Sequence, residues 1–273
     1  MKTVIIIGVT SDIGRELAVR FQRDGWAVHG TLRSQTAPQG LPADCGLHVC
    51  DLASRDSVDA LVAECHRTGL RWDLLVVAAG TEEPIGDFWS CNADAWEEGI
   101  VVNALGPLRL LRGLHPLRQA NARPAVAFFS GSGTNNAAPA YSAYCASKIF
   151  LIKMCELLDA ESTDTSFFII GPGIVRTKIH DQTLRVPEAS GTNYRKVVDF
   201  LASSNPGTSH DDIYANLSWC LQAGKAAVGG RNLSLVHDAW RHGGAELAQK
   251  LQFEPNLYKL RRFGNDWKIN AQT

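Results

Sequence analysis

Two side chains with acid–base chemistry stand four residues apart in the stretch Tyr144-Cys145-Ala146-Ser147-Lys148. If the stretch is helical, the phenol and the ammonium share one face, about one turn from each other. A nearby ammonium stabilises tyrosinate, so we expect Lys148 to lower the phenol pKa from its usual value of ~10. Tyr144 would then donate or accept a proton near neutral pH. A single Tyr-x-x-x-Lys pair, however, is more often part of a solvated helix face than of an active site.

A second candidate site is the turn GVTSDIG at residues 8–14, between an apolar strand and an amphipathic helix. Its glycines let a diphosphate approach the backbone, and the helix N-terminus offers N–H groups and a partial positive charge. Thr10 and Ser11 could donate hydroxyls to phosphate. The carboxylate of Asp12 would repel a diphosphate, so we expect it to turn away and cap the helix. The turn lacks the GKS or GKT of a P-loop, and strand–glycine–helix turns also occur for structural reasons.

Apolar runs suited to buried strands alternate with amphipathic stretches along the chain. This alternation predicts an α/β fold, a parallel sheet with helices on both faces. The predicted strands cover 3–9, 26–32, 47–50, 73–78, 125–130, 166–170 and 232–236, and the predicted helices cover 13–24, 57–67, 93–119, 141–160 and 211–223.

The alternation stops between residues 178 and 209, where Pro187, Gly191, Pro206 and Gly207 separate helical pieces without a clear strand. Such a long insertion is more typical of a lid over a binding site than of a linker. No other segment resembles a linker, so we expect one domain, 1–273, with this lid and a C-terminal tail at about 240–273. In the tail, Tyr258 and Trp267 are expected as packing anchors.

Four motifs occur in the order of a known family: GVTSDIG at 8–14, VAAG at 77–80, Asn103 and YCASK at 144–148, extended by PGIVRT at 172–177. Over about residues 1–240 the chain resembles the single-domain short-chain dehydrogenases/reductases. The resemblance implies a Rossmann-type three-layer α/β sandwich with a seven-stranded parallel sheet. It also implies an NAD(P) cofactor and an active site of Ser, Tyr, Lys and Asn.

Carried over by this resemblance, Tyr144 is the catalytic acid/base, Lys148 holds the nicotinamide ribose and lowers the Tyr144 pKa, and Asn103 holds a relay water. The remaining implied cofactor contacts lie in the glycine turn and after the strand ends. They are Gly8, Thr10, Ser11, Asp12, Ile13, Gly14, Arg33, Ser34, Asp51, Leu52, Ala78, Ala79, Gly80, Pro172, Gly173, Val175 and Thr177.

The chain departs from the family pattern at three places. Asp12 replaces the middle glycine of the turn, and Ala78-Ala79 replaces two asparagines. Counting back from Tyr144, the position of the catalytic serine falls on Gly131, between Ser130 and Ser132. We favour Ser130, because it ends a strand and a one-residue change in the following loop costs little; Ser132 is the alternative.

The end of the second strand bears on the choice of cofactor. An NAD site normally has an acidic side chain there for the ribose 2′-hydroxyl. Here Arg33 and Ser34 follow the strand instead, and a guanidinium suits a 2′-phosphate. We therefore expect NADP in preference to NAD, although an arginine at a strand end is also an ordinary surface residue.

Composition limits the other functions. The 27 Lys and Arg against 28 Asp and Glu give a net charge of −1, which disfavours a nucleic-acid binder, and no apolar run could cross a membrane. The seven cysteines lack a Cys-x-x-Cys pair, so reduced thiols and a cytoplasmic location are expected. His237, Asp238 and His242 form the nearest approach to a metal site, but their spacing does not favour one.

The leading hypothesis is a reversible NAD(P)-dependent oxidoreductase acting on a small-molecule carbonyl or secondary alcohol. The segment GGRNLSLVHDAW and the tail resemble carbohydrate-pathway members of this family, and this resemblance implies a carbohydrate-type substrate. The lid offers polar contacts from His180, Gln182, Asn193, Tyr194 and Arg195. The alternatives are a nucleotide-sugar dehydratase or epimerase and a non-catalytic NAD(P)-binding redox sensor. A homodimer or homotetramer is implied by the resemblance alone.

Overall fold

The computed structural model describes residues 1–34, 36 and 39–262. Its centre is one sheet of seven strands, all paired in parallel, in the order β3-β2-β1-β4-β5-β6-β7. The predicted Rossmann-type α/β fold is therefore confirmed. The strands are β1 Thr3–Ile7, β2 Ala27–Leu32, β3 Gly46–Val49, β4 Leu74–Val77, β5 Ala125–Phe129, β6 Ser166–Gly171 and β7 Asn232–Ser234.

Helices cover both faces of this sheet. Alternate residues of β1 belong to two separate apolar clusters: Val4 and Ile6 to one, Ile5 and Ile7 to the other. Because side chains alternate across a strand, such runs are apolar throughout when both faces are covered. The helices are α1 Asp12–Arg23, α2 Arg55–Thr68, α3 Ala93–Ile100, α4 Gly106–Leu114, α5 Ser142–Glu161, α6 His180–Arg185, α7 Pro187–Ser190, α8 Thr192–Ala202, α9 His210–Ala223, α10 Lys225–Val228 and α11 Trp240–Phe253.

The single helix expected over 93–119 is wrong. A π-helical turn, Val101–Leu105, joins α3 to α4, and short 3₁₀ turns follow. Pro107 has no N–H to give the carbonyl of Asn103, as a regular helix would require at this spacing. Gly106 also lies against the carbonyl of Leu52, where an added Cβ would come within 2.2 Å. The wider turn accommodates both constraints.

Residues 178–209 contain three helices, α6 to α8, and no named strand, as the sequence predicts. Arg176 anchors their base: its guanidinium donates to the carbonyls of Phe200, Leu201, Ser203 and Asn205 at the end of α8. Among the residues described, no helix combines the length and the apolar character that crossing a membrane requires.

The strand order reverses between β1 and β4, so the loops after these strands diverge at the carboxyl edge of the sheet. In an open α/β sheet this is where ligands bind. The turn 8–11, the loop after β4 and the loop after β5 all lie at this edge.

Candidate functional site

The glycine turn is built for close backbone approach. Gly8 has φ +83°, and a Cβ there would come within 2.6 Å of the backbone of Ala79. At Gly14, a Cβ would meet the carbonyl oxygen of Gly8 at 2.5 Å. These contacts require glycine at both positions and bring the turn after β1 against the loop after β4.

The expected cap of α1 is wrong, because Ser11 and not Asp12 performs that role. The Ser11 hydroxyl accepts from the N–H of Gly14 at 3.0 Å and donates to the carbonyl of Gly8 at 2.9 Å. Asp12 instead reaches across the cleft, where its carboxylate accepts the backbone N–H of Lys178 at 2.6 Å. The Lys178 ammonium returns to the carbonyl of Thr10 at 2.7 Å. The glycine turn is thus bound directly to the start of the segment 178–209, which the sequence predicts to be a lid.

The start of α1 has the features of an anion site. Within the described chain, the backbone N–H groups of Asp12 and Ile13 have no hydrogen-bond partner. Unpaired N–H groups at a helix N-terminus, beside a glycine turn, suit a diphosphate. The residues present therefore fit the predicted dinucleotide.

Tyr144 lies in the first turn of α5 and is buried. Its hydroxyl lies against the Cα of Gly131, where an added Cβ would be only 2.0 Å from Oη. Glycine at this position therefore provides the space that the phenol occupies.

Lys148 follows one helical turn later and is also buried. Its Nζ donates to the carbonyl of Phe129, the last residue of β5, at 3.0 Å, and lies 5.5 Å from the centre of the Tyr144 ring. Spacing along the helix thus brings the two side chains together, as expected. The ammonium, however, is directed at the strand end.

The expected lowering of the Tyr144 pKa is wrong. Burial raises the pKa of the phenol above its ordinary value, and the Glu82 carboxyl and the Cys145 thiol act in the same direction. Lys148, whose own pKa burial lowers to about 8, does not reverse this shift. Tyr144 is consequently protonated at neutral pH and suited to donate a proton.

Asn103 is fully buried in the π-helical turn and holds the loop after β4. Its amide oxygen accepts the N–H of Thr81 and its amide nitrogen donates to the carbonyl of Thr81, both at 2.8 Å. A Cβ on Gly80 would lie 3.5 Å from the Asn103 amide oxygen and 3.7 Å from Lys148 Nζ. Asn103 and Lys148 therefore flank the same glycine.

The two candidate serines differ in environment. Ser130 is buried, and its hydroxyl faces Gly171 on β6, where an added Cβ would lie 3.1 Å away. Ser132 is exposed. In the part of the chain that is described, no hydrogen bond joins either serine to Tyr144.

The other predicted cofactor contacts also lie at the carboxyl edge. Arg33 and Ser34 are exposed just beyond β2, and Ala78, Ala79 and Gly80 follow β4. The remaining ones follow β3 and β6; Asp51, Leu52, Pro172, Gly173, Val175 and Thr177 belong to these two loops.

Of the residues in 178–209 named from the sequence, Gln182 hydrogen-bonds to the loop after β4. Its amide oxygen accepts the N–H of Glu82 at 2.7 Å. His180 is buried and bonds to the carbonyl of Val175 at 2.9 Å, and Asn193 contacts Pro139 at the surface. In the tail, Tyr258 packs against the core, while Trp267 lies outside the described residues.

Sequence reasoning missed one group, centred on Glu82. This carboxyl is 9% exposed and accepts a hydrogen bond from Thr183 of the lid at 3.0 Å. Burial raises its pKa to about 7. The sequence gives no signal for this burial, because Thr81-Glu82-Glu83 is an ordinary polar loop sequence.

Comparison with known proteins agrees with the fold. The family model described as short chain dehydrogenase matches residues 2–186. The NADPH-dependent pterin aldehyde reductase of Arabidopsis thaliana is 24% identical over 185 residues, which cover 65% of this chain and 76% of the relative. The 17-beta-hydroxysteroid dehydrogenase type 1 of Mus musculus is 32% identical over 167 residues, which cover 57% of this chain and only 48% of the relative.

A solved structure of a short-chain dehydrogenase/reductase from Saccharomyces cerevisiae superposes with a TM-score of 0.76 at 24% identity, covering 88% of this chain and 98% of the other. At this identity the likeness concerns the fold. The matches confirm the predicted family and its class of reaction, oxidoreduction of alcohols and carbonyl compounds with NAD or NADP. The chain belongs to the short-chain dehydrogenase/reductase family.

Proposed function

We propose that the protein reduces a small-molecule carbonyl compound with NADPH, using Tyr144 as the proton donor. One observation carries the proposal: the Tyr144 hydroxyl is held against Gly131 at the carboxyl edge of the sheet, one helical turn from a buried lysine. The raised pKa of the phenol keeps its proton in place at neutral pH. As negative charge develops on the carbonyl oxygen, this proton is available to neutralise it.

Lys148 and Asn103 support this proton transfer. The hydrogen bond to Phe129 fixes the Lys148 ammonium, whose pKa of about 8 leaves it mostly charged at neutral pH. From there it can bind ribose hydroxyls and favour reprotonation of the phenol after turnover. Asn103 holds the adjacent loop through Thr81, and the second hydrogen of its amide nitrogen can bind a relay water.

The cofactor would be held by the glycine turn, the free N–H groups of Asp12 and Ile13 and the loop 78–80. When bound, the nicotinamide supplies the hydride. Arg33 and Ser34, exposed at the end of β2, would bind the 2′-phosphate of NADP. The NADPH dependence of the Arabidopsis relative supports this preference.

Ser130 is our choice for the hydroxyl that polarises the carbonyl. It is buried at the end of β5, whereas Ser132 is exposed and its hydroxyl would exchange hydrogen bonds with solvent. A fixed, desolvated donor stabilises developing charge better than a mobile, hydrated one.

We further propose a homo-oligomer located in the cytoplasm. Phe150 and Leu157 of α5 are exposed and seven residues apart, so they lie on one face of the helix, and Leu105 is exposed on the neighbouring π-helical turn. A shared apolar face of this kind suits an interface between two copies. All seven cysteines are unpaired, which suits a reducing compartment.

The proposal is tested by the Tyr144→Phe variant. We expect at least a 100-fold loss of NADPH oxidation with carbonyl substrates, in the range of a lost general acid, and unchanged NADPH affinity by fluorescence titration. Tyr214→Phe is the matched control, because Tyr214 bonds to Asp24 away from the site. Wild-type turnover in Tyr144→Phe would refute the assignment.

A further inference from the structure

Glu82 and Glu83 are consecutive carboxylates with opposite environments. Glu83 has a side chain 56% exposed and pairs with Arg185 at 3.6 Å. Glu82 is 9% exposed, and within the described chain no lysine or arginine nitrogen lies within 4.0 Å of it. A buried carboxyl without a cation is costly, so its position in the fold calls for a reason.

The hydrogen bonds of Glu82 leave most of its capacity unused. Thr183 donates its hydroxyl to Oε2 at 3.0 Å, and the Tyr141 hydroxyl is 2.6 Å from the same threonine oxygen. Because Thr183 has a single proton and gives it to Glu82, Tyr141 is the donor to Thr183. An ionised carboxylate accepts about four hydrogen bonds. Among the described residues, only Oε2 of Glu82 receives one, and Oε1 has no partner.

The carboxyl also lies beside the reacting groups. Thr81, the residue before it, is held by Asn103, and Gly80 is flanked by Lys148 and Asn103. Tyr141, which bonds to Thr183 and through it to Glu82, precedes Tyr144 by three residues at the start of α5.

Three elements converge on this carboxyl: the loop after β4, the start of α5 through Tyr141, and α6 of the lid through Thr183. Tyr141 and Thr183 are buried and orient Oε2. Together they hold the carboxyl in a fixed position between the start of α5 and α6.

We propose that Glu82 is a specificity-determining residue that accepts a hydrogen bond from a substrate hydroxyl on a carbon next to the reacting carbonyl. The preferred substrates are then hydroxylated carbonyl compounds. This inference rests on the proposed function, since it assigns a substrate class to the same site. A site that hydrogen-bonds a substrate hydroxyl discriminates strongly against the analogue lacking it, because the buried acceptor is then left unpaired.

The test compares carbonyl pairs that differ by one neighbouring hydroxyl: 2-hydroxycyclohexanone with cyclohexanone, acetoin with butanone, and 2-hydroxypropanal with propanal. For each pair, kcat/KM with NADPH is measured on the wild type, Glu82→Gln and Glu82→Leu. We expect the wild type to prefer the hydroxylated member by about 10-fold to 100-fold, the range for a hydrogen bond to a charged group. In Glu82→Leu the ratio should fall to about 1, with Glu82→Gln intermediate.

Each ratio uses one enzyme preparation, so partial loss of folded protein cancels from it. Glu83→Gln is the matched control and should keep the wild-type ratio, because the Glu83 side chain is exposed. Equal kcat/KM for both members of every pair on the wild type, or ratios unchanged in Glu82→Leu, would overturn the inference and leave the proposed function intact. Bound NADPH without oxidation by any carbonyl in the panel would overturn the proposed function and the inference with it.

Discussion

Replacing Glu82 by glutamine should stabilise the protein, and increasingly so as the pH rises. The change keeps the shape of the side chain and an oxygen for the Thr183 hydroxyl, but it removes the ionisable carboxyl. In the native protein the pKa of Glu82 is raised from 4.5 to about 7 by burial. In the unfolded chain the group is hydrated and has its ordinary pKa.

The sign of the effect follows from proton binding. Between pH 4.5 and 7 the unfolded chain has lost the Glu82 proton while the native protein retains it, so rising pH favours unfolding. The difference of about 2.5 pKa units, at 1.36 kcal/mol each, amounts to roughly 3 kcal/mol. This penalty is absent below pH 4.5, grows through the interval and is complete above pH 7. The glutamine variant does not incur it.

Urea denaturation from pH 5 to pH 8 measures the difference directly. We expect the free energy of unfolding of Glu82→Gln to exceed that of the wild type by less than about 1 kcal/mol at pH 5 and by about 3 kcal/mol at pH 8. Glu83→Gln should show no such trend, since its side chain is exposed. A difference that stays constant with pH, or that is larger at pH 5, would contradict the burial argument.

Three further variants address the proposed cofactor site, the proposed proton donor Tyr144 and the C-terminal region. Arg33→Ala should weaken NADPH binding by about 10-fold or more and leave NADH binding nearly unchanged, as measured by fluorescence titration; equal losses would count against a phosphate contact. Gly131→Ala should lower kcat/KM about 100-fold, because its Cβ would lie 2.0 Å from the Tyr144 hydroxyl and displace it; normal turnover would show that the phenol lies elsewhere. Arg231→Met should reduce the free energy of unfolding by about 3 kcal/mol in urea, since the buried guanidinium donates to four carbonyls around α11; a loss below about 1 kcal/mol would refute this role.

Suitable controls exist for these variants. Arg262→Ala removes an exposed arginine far along the chain from Arg33 and should not change the preference between cofactors. Gly243→Ala adds a methyl group whose nearest neighbour is 3.8 Å away, so kcat/KM should stay at the wild-type value.

Patterns of apolar residues were sufficient to predict the sheet. Strands such as VIII and LLVV are apolar throughout because both faces are covered, so their number and parallel arrangement could be predicted. The path from α3 to α4 could not be predicted from these patterns. The π-helical turn between the two helices depends on Pro107 and on the contact of Gly106 with Leu52, which is distant in the sequence.

In the site, spacing along one helix predicted that Tyr144 and Lys148 come together, but it could not predict their pKa values. Those depend on burial by segments far apart in the sequence. Glu82 shows this most clearly: its burial is produced by Thr183, about a hundred residues later, and nothing in the local sequence distinguishes it from exposed Glu83. Counting back from Tyr144 led to Gly131 as the position where the family has its serine, and the structure shows why a glycine stands there: the Tyr144 hydroxyl lies against it.

The bridge between Asp12 and Lys178 joins two segments that would otherwise move separately. The carboxylate accepts the backbone N–H of Lys178 and pairs with the Arg15 guanidinium at 3.4 Å, so it repels a phosphate less than a free carboxylate would. Displacing the first turn of α1 from the lid requires breaking both hydrogen bonds at once. If residues 178–209 cover the substrate, as the sequence predicts, cofactor exchange requires this segment to move, and we expect the ligands to leave in a fixed order.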